Sequence, residues 1–236
     1  MNEDKNVPKR IAQTLINSLK GGVVPRTGLP YITVGRKNEI EALLHDVDIV
    51  AEGGASFRFI VGKYGSGKSF LLQTIRNYVM DKGFIVADAD LSPERRLQGT
   101  KGQGLATYRE LIGNLSTKTK PEGGAITLLL DRWINNIQTD CIEKNGVLPG
   151  SKELLDEVDK KIYTVIAGLS EMVHGFEFGS LLSKYYHAYI DGNDETKMKI
   201  VRWFRGEYST KTGAKEALGV NIIITDEDWY LSLIHI

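Results

Sequence analysis

Cysteine is nearly absent from this sequence, and long apolar runs and a net charge are absent altogether. Cys141 is the one cysteine among 236 residues, so an internal disulfide is excluded and a reducing compartment is indicated. No apolar stretch approaches the roughly 20 residues that cross a bilayer, so we expect no membrane partner. Thirty basic residues balance thirty acidic ones, which excludes a global field that would attract nucleic acid or an anionic surface.

The start of the chain also lacks a targeting signal. Its first ten residues, MNEDKNVPKR, are polar and carry charges of both signs, where a secretory signal would be basic and then apolar. We therefore expect a cytoplasmic protein. With 42% hydrophobic residues, a chain of 236 residues is long enough to bury a sizeable core in one large domain or two small ones.

Alternating helical and strand-like segments in the first part of the chain predict an α/β fold. We divide this part into an N-terminal helix and connector, 1–34, and a nucleotide-binding core, 35–104. Within the core, the apolar runs 57–61 (FRFIV) and 84–90 (FIVADAD) are typical of strands, and an amphipathic helix over 68–82 connects them. A strand, a helix and a strand with short joints predict a parallel βαβ unit.

Between residues 105 and 219 the period of apolar side chains becomes helical almost throughout. Ile126, Leu130 and Ile134, for example, belong to one stripe that continues for about four turns. We therefore predict a large all-helical insertion over 105–219, followed by the start of a further core segment over 220–230.

A glycine-rich motif directly follows the first apolar run. It has the form G-x-x-x-x-G-K-S and opens the predicted 68–82 helix, which is the strand-before, helix-after context of a phosphate-binding P-loop. We predict that a nucleotide is bound by Gly62, Lys63, Tyr64, Gly65, Ser66, Gly67, Lys68, Ser69 and Phe70. The alternative is a glycine-rich turn that happens to contain a lysine.

The residue types of this motif suit a polyphosphate. Glycines let the backbone bend so that successive N–H groups point into one concavity around phosphate oxygens. The N-terminus of the following helix adds about half a positive charge. We expect Lys68 to lie against the β- and γ-phosphates and the Ser69 hydroxyl to ligate Mg²⁺, so these two residues are the predicted catalytic ones. ATP and Mg²⁺ are the predicted cofactors.

A second motif lies upstream, where Val34, Gly35 and Arg36 precede a predicted helix with Glu39 in its first turn. Placed about one helix before a P-loop, this apolar-Gly-Arg-x-x-Glu pattern resembles the adenine-side motif of AAA+ and signalling ATPases. We expect the backbone of Gly35 and Arg36 to lie near the adenine base. An ordinary helix N-terminus is the alternative.

Two places in the sequence offer an acid that would organise Mg²⁺. Asp88 and Asp90 end the second apolar run, where small-molecule kinases have an acid that meets the substrate. Asp226 and Glu227 follow another apolar run, as acids do in a Walker B strand. Thr225 interrupts that run and suits the N-cap of a helix with an acidic first turn, so we favour a helix start over a catalytic strand.

A basic and aromatic stretch near residue 200 raises the question of nucleic-acid binding. Lys199 and Arg202 lie beside Trp203 and Phe204, and aromatic rings with neighbouring cations can stack bases. A solvated basic edge on a helix with buried aromatic rings is the interpretation that we favour, and DNA stays open as a partner.

Four longer stretches resemble one known family. They are GVVPRTGLPYITVGR, VGKYGSGKSF, DLSPERRLQGTKGQGLATYRELIGNLS and RGEYSTKTGAKEALGV. Over about residues 10–230 the chain is similar to the ATP-binding proteins of bacterial BREX phage-defence clusters, which are BrxD-like and related to Orc/Cdc6-like AAA+ ATPases.

This resemblance implies an incomplete P-loop NTPase core of the AAA+/ASCE type with a helical insertion. It also implies other defence-system proteins as partners, with DNA nearby and an oligomer open. By matching position, the residues from Gly62 to Phe70 bind the phosphates, and Gly35 and Arg36 lie by the adenine. The family's Walker B, a longer apolar strand that ends in Asp-Glu, lies beyond a helix that begins at the equivalent of DDxxWY, and this sequence stops at that helix. We therefore expect hydrolysis to require residues beyond this chain.

Three functions follow from these observations. The first is an AAA+-type ATPase of a phage-defence system. The second is a small-molecule kinase that uses Asp88 or Asp90 beside its acceptor. The third is a nucleotide-dependent binding module without turnover. Phosphate release without an acceptor would separate the first from the second, and ATP-dependent association without turnover would mark the third.

The last six residues, LSLIHI at 231–236, differ from the rest of the chain. One reading frame of a common transposase sequencing adapter encodes the same six residues. We therefore expect this segment to be an artefact and the chain to be an N-terminal fragment. A genuine amphipathic end that packs on the core is the alternative.

Overall fold

The computed structural model describes residues 6–25, 27–99, 101–167 and 175–229, and this part of the chain is mainly helical. Its helices are α1 Lys9–Lys20, α2 Leu29–Ile32, α3 Lys37–Ala51, α4 Lys68–Asp81, α5 Gln103–Gly113, α6 Ile126–Asn145, α7 Lys152–Ala167, α8 Gly175–Ile190, α9 Asp194–Phe204 and α10 Lys211–Leu218. None of these helices combines the length and the apolar character needed to cross a membrane.

The prediction of a parallel βαβ P-loop core is wrong, because the described residues contain isolated bridge positions but no strand and no sheet. A strand requires a neighbour whose N–H and C=O groups pair with its own. The apolar run 57–61 has no such neighbour in the described part, and Phe57, Phe59 and Val61 are 81%, 81% and 92% exposed. The run 84–90 is likewise irregular. An apolar run forms a strand only where a second strand pairs with it, and neither run has such a partner among the described residues.

The chain divides into two compact units, and the first contains the described residues up to Val86 together with 117–119. In this first unit α3 and α4 pack against each other. Arg58, from the apolar run, donates to the Asp46 carboxylate on α3 and keeps the run beside that helix. The hydrogen bond from Arg58 lowers the pKa of Asp46. The predicted 68–82 helix is present as α4.

The second unit contains 87–116 and the described residues from Lys120 onward. Its apolar core joins side chains of α6, α7, α8, α9 and α10, and every helix presents one apolar stripe to it. The most deeply buried members are Ile134, Cys141, Val158, Ile162, Leu181, Tyr185, Tyr186, Ile200 and Ala214. Helices therefore form where the sequence showed a helical period, because each stripe has a neighbouring stripe to pack against.

The final described segment of the second unit contains the helix start that the sequence predicted. Residues 220–225 are irregular and a helix begins at Asp226. The Thr225 N–H donates to Asp228 Oδ2 at 2.7 Å and the Thr225 hydroxyl donates to the same oxygen at 2.8 Å. This contact occupies the position of a capping box. The segment 231–236 lies outside the described residues.

Candidate phosphate-binding loop

The glycine-rich motif forms a tight loop that leads directly into α4. Gly65 and Gly67 have φ values of 77° and 81°, in a region that residues with a side chain rarely adopt. The Ser66 N–H donates to the Lys63 carbonyl at 3.1 Å and closes a turn between them. The loop therefore needs glycine at these two positions for its backbone to turn into the helix.

Gly62 differs from these two glycines, because it lies close to the side chain of Ser66. A Cβ atom at this position would lie 2.6 Å from Ser66 Oγ, so the serine hydroxyl would have to turn away to make room for it. Gly62 and Ser66 therefore lie close together across the loop.

Lys68, the first residue of α4, folds back across the loop. Its Nζ donates to the Gly62 carbonyl at 2.8 Å and to the Lys63 carbonyl at 3.0 Å. An ammonium group has three donors, and these two bonds hold it inside the loop. The contact of Lys68 with the β- and γ-phosphates stays a prediction, and the structure gives the two loop carbonyls that its ammonium contacts.

The N-terminus of α4 supplies further positive potential at the same place. Its N-cap is Gly67, which has no side chain to accept from the first-turn N–H groups, and the first turn contains no acidic residue. These N–H groups have no partner inside a helix, and the helix dipole adds about half a positive charge near them. The donors and the local charge therefore suit an anion.

The upstream Gly-Arg motif lies against this loop through its arginine side chain. Gly35 has a φ value of 76°, and Arg36 is the N-cap of α3. The Arg36 guanidinium donates to the Ser66 carbonyl. A Cβ atom placed on Gly67 would lie 3.2 Å from Arg36 Nη2 and 3.7 Å from its Cζ. The sequence placed only the backbone of this motif near a nucleotide and missed this side-chain contact, for which spacing gives no signal.

The remaining predicted loop residues differ in exposure. Tyr64 and Ser69 are exposed, whereas Phe70 is half-buried in the first turn of α4. Ser69 directly follows Lys68, so its hydroxyl belongs to the turn where the N–H groups converge. No group of three or more His, Cys, Asp or Glu side chains suited to a metal occurs among the described residues.

The acidic candidates all belong to the second unit. Asp226 accepts from the Gly102 N–H at 2.6 Å and from the Leu105 N–H at 2.7 Å, so its carboxylate caps the N-terminus of α5. Glu227 is exposed beside it.

Asp88 and Asp90 meet α5 and its C-terminal end through their backbones. The Asn114 side chain donates to the Asp88 carbonyl at 2.9 Å, and the Asp90 N–H donates to Glu110 Oε1 at 3.3 Å.

The basic stretch on α9 has the arrangement that we favoured. Trp203 and Phe204 are buried in the core of the second unit, so neither ring is available to stack a base. Lys199 pairs with Glu195 at 2.7 Å, and Arg202 approaches Glu207 at 3.3 Å. These cations are therefore engaged on the helix surface.

Comparison with known proteins gives one family. The family model described as BREX system ATP-binding protein BrxC/D matches residues 7–236. Comparison with curated proteins and with solved structures gave no match. The matched range contains both the glycine-rich loop and the described part of the helical second unit. The chain therefore belongs to the BrxC/D family of BREX system ATP-binding proteins, and it is an ATP-binding component of a BREX defence system.

Proposed function

We propose that the loop at 62–69 is the site where this protein binds ATP with Mg²⁺, and that it does so as an AAA+-type ATPase component of its defence system. The observation that supports the site is the convergence of Lys68, Arg36 and the uncapped N-terminus of α4 on one glycine-shaped loop. The AAA+ type rests on the BrxD-like and Orc/Cdc6-like resemblance of the sequence.

Each residue has a defined role in this proposal. The N–H groups from Gly65 to Ser69 surround the phosphate oxygens, and Lys68 leaves the Gly62 and Lys63 carbonyls to contact the phosphates. The Ser69 hydroxyl ligates the Mg²⁺, which neutralises phosphate charge when it is bound.

One observation favours a second candidate, which is a nucleotide-dependent binding module without turnover. Asp226 uses both carboxylate oxygens to cap α5, so it is occupied by a structural role. Under this alternative, ATP binding changes association with other defence-system proteins, and phosphate is not released. DNA and a second copy of the chain are further partners for such an association assay.

Lys68→Ala tests the site. Removing charged hydrogen bonds to phosphate costs about 1.5–3 kcal/mol, so we expect the Kd for Mg·ATP to rise roughly ten- to a hundred-fold in calorimetry. Lys37→Ala is the matched control, because Lys37 is an exposed lysine of the same unit, next to Arg36 in sequence, and pairs only with Glu41 at 3.6 Å among the contacts described. Equal Kd values for Lys68→Ala and the parent would show that the loop is not the nucleotide site.

Phosphate release separates the candidate activities. An ATPase releases inorganic phosphate without a small-molecule acceptor, whereas a kinase that uses Asp88 or Asp90 requires one. A binding module gives neither and shows ATP-dependent association alone.

A further inference from the structure

Arg36 occupies an unusual position for a residue at a helix N-cap. Its side chain makes no capping bond to α3, and its backbone carbonyl alone accepts from the Ile40 N–H at 3.0 Å. The guanidinium instead lies against Gly67, with Nη2 3.2 Å from the place of a Cβ atom, and donates to the Ser66 carbonyl. The side chain therefore serves the loop and not its own helix.

Arg36 and Lys68 share one mode of contact. Both cations donate to backbone carbonyls of the loop, Arg36 to Ser66 and Lys68 to Gly62 and Lys63. A hydrogen bond with one ionised partner is stronger than a neutral one, and in a bond from arginine or lysine to phosphate both partners are ionised, so full charges of opposite sign attract as well. A phosphate oxygen is thus a better acceptor for either cation than the carbonyls they hold.

The shape of the guanidinium suits such an exchange. It has five N–H donors in a planar fork that matches the oxygens of a phosphate group. Gly67 has no side chain, so nothing at that residue separates the fork from the first-turn N–H groups of α4. A larger residue at Gly67 would crowd the guanidinium at 3.2 Å.

We propose that Arg36 recognises the phosphate chain of the nucleotide, and that it exchanges the Ser66 carbonyl for a phosphate oxygen when the ligand binds. This inference rests on the proposed function of the loop. It assigns the Arg36 side chain to phosphate, whereas the sequence motif alone assigned the neighbouring backbone to adenine. Arg36 then contributes affinity that does not depend on the base.

A base-free ligand tests this inference directly. The Kd values of Mg·ATP and of inorganic tripolyphosphate with Mg²⁺ are measured by calorimetry for the parent and for Arg36→Ala. We expect both Kd values to rise by the same factor, roughly ten- to a hundred-fold, because one charged contact is lost in each complex. Lys37→Ala, which removes an adjacent exposed charge, should change neither value.

Two further variants separate phosphate recognition from a loop-holding role. Arg36→Gln keeps a donor for the Ser66 carbonyl without the charge, and Arg36→Lys keeps the charge without the fork. If Arg36 recognises phosphate, Arg36→Lys should keep part of the affinity for both ligands that Arg36→Ala loses, and Arg36→Gln should not. Recovery by Gln and not by Lys would overturn the inference in favour of a loop-holding role.

The remaining outcomes are also decisive. A loss of ATP affinity in Arg36→Ala with unchanged tripolyphosphate affinity would place the side chain at the base and overturn the inference. Unchanged affinity for both ligands in Arg36→Ala, with a loss in Lys68→Ala, would overturn the inference and leave the proposed site intact. Unchanged affinity in both variants would overturn the proposed site as well.

Discussion

The two units of this chain differ in what they do with their apolar side chains. In the second unit, the stripes of five helices share one core, and residues such as Ile162 and Ile200 have no exposed surface. In the first unit, the apolar run 57–61 leaves Phe57 and Phe59 mostly exposed, with their rings in a T-shaped contact at 4.9 Å. The loop beside this run is likewise exposed at its tip.

This difference has a physical origin in the range of the interactions. A helix satisfies its own backbone hydrogen bonds, and its stripe needs only another helix nearby. A single strand can neither pair its own backbone N–H and C=O groups nor cover its apolar faces. The run 57–61 therefore remains irregular without a partner. The helical unit is therefore expected to dominate stability, and the loop unit to dominate ligand binding.

The largest expected effect is a loss of unfolding free energy when a side chain of the helical core is removed. Ile162→Ala removes a fully buried side chain from the contact of α7 with its neighbours, and we expect the free energy of unfolding to fall by about 2–5 kcal/mol. Phe59→Ala removes a larger side chain that is 81% exposed and should change it by no more than about 0.5 kcal/mol. Urea denaturation measures both values. Equal losses would contradict the contrast between the units.

A smaller effect is expected at the cap of α5. Asp226→Ala leaves the Gly102 and Leu105 N–H groups without their acceptor, and we expect a loss of about 1–2 kcal/mol in the free energy of unfolding. Glu227→Gln, at the exposed neighbour, is the control and should change little.

Asp226 also tests whether this acidic pair holds a metal or only stabilises the fold. The double change of Asp226 and Glu227 to their amides should leave the Kd for Mg·ATP within a few-fold in calorimetry, because Asp226 is bound to the helix terminus. A large loss that appears only with Mg²⁺ would give Asp226 a role at the nucleotide after all.

The smallest effect concerns a buried phenol. Tyr185 donates to Asp131 at 2.7 Å, and burial, together with this bond, raises the pKa of Tyr185. Tyr185→Phe should cost about 1 kcal/mol of unfolding free energy at pH 8.

The dependence of this effect on pH has a definite sign. When the pH is above the ordinary tyrosine pKa of about 10, the folded state still keeps the Tyr185 proton, whereas the unfolded state loses it. The stabilisation is therefore complete below pH 10 and falls as the pH rises further. The difference between the parent and Tyr185→Phe should shrink between pH 8 and pH 11, and Tyr163→Phe, at an exposed tyrosine, is the control. A constant difference would show that folding does not raise the pKa of Tyr185.

Sequence patterns predicted the elements whose causes are local. The positions of α4 and α6 followed from apolar spacing, and Thr225 with Asp228 gave the final helix start. The short helix α10 was missed, although Thr210 accepts from the Gly213 N–H at 3.1 Å and is a clear N-cap signal. An eight-residue helix with few apolar positions shows too little periodicity to be recognised.

The sequence by itself determined the glycine-rich turn into α4, because glycine conformation and the lysine at the helix start depend on neighbouring residues only. It also determined the helical stripes, since their period is local. Tertiary structure alone decided three things. Asp226 meets Gly102 across 124 residues of sequence, Arg36 reaches Ser66 across 30, and the run 57–61 finds no pairing partner in the described residues. Each of these depends on which distant segments meet, and spacing along the chain does not contain that information.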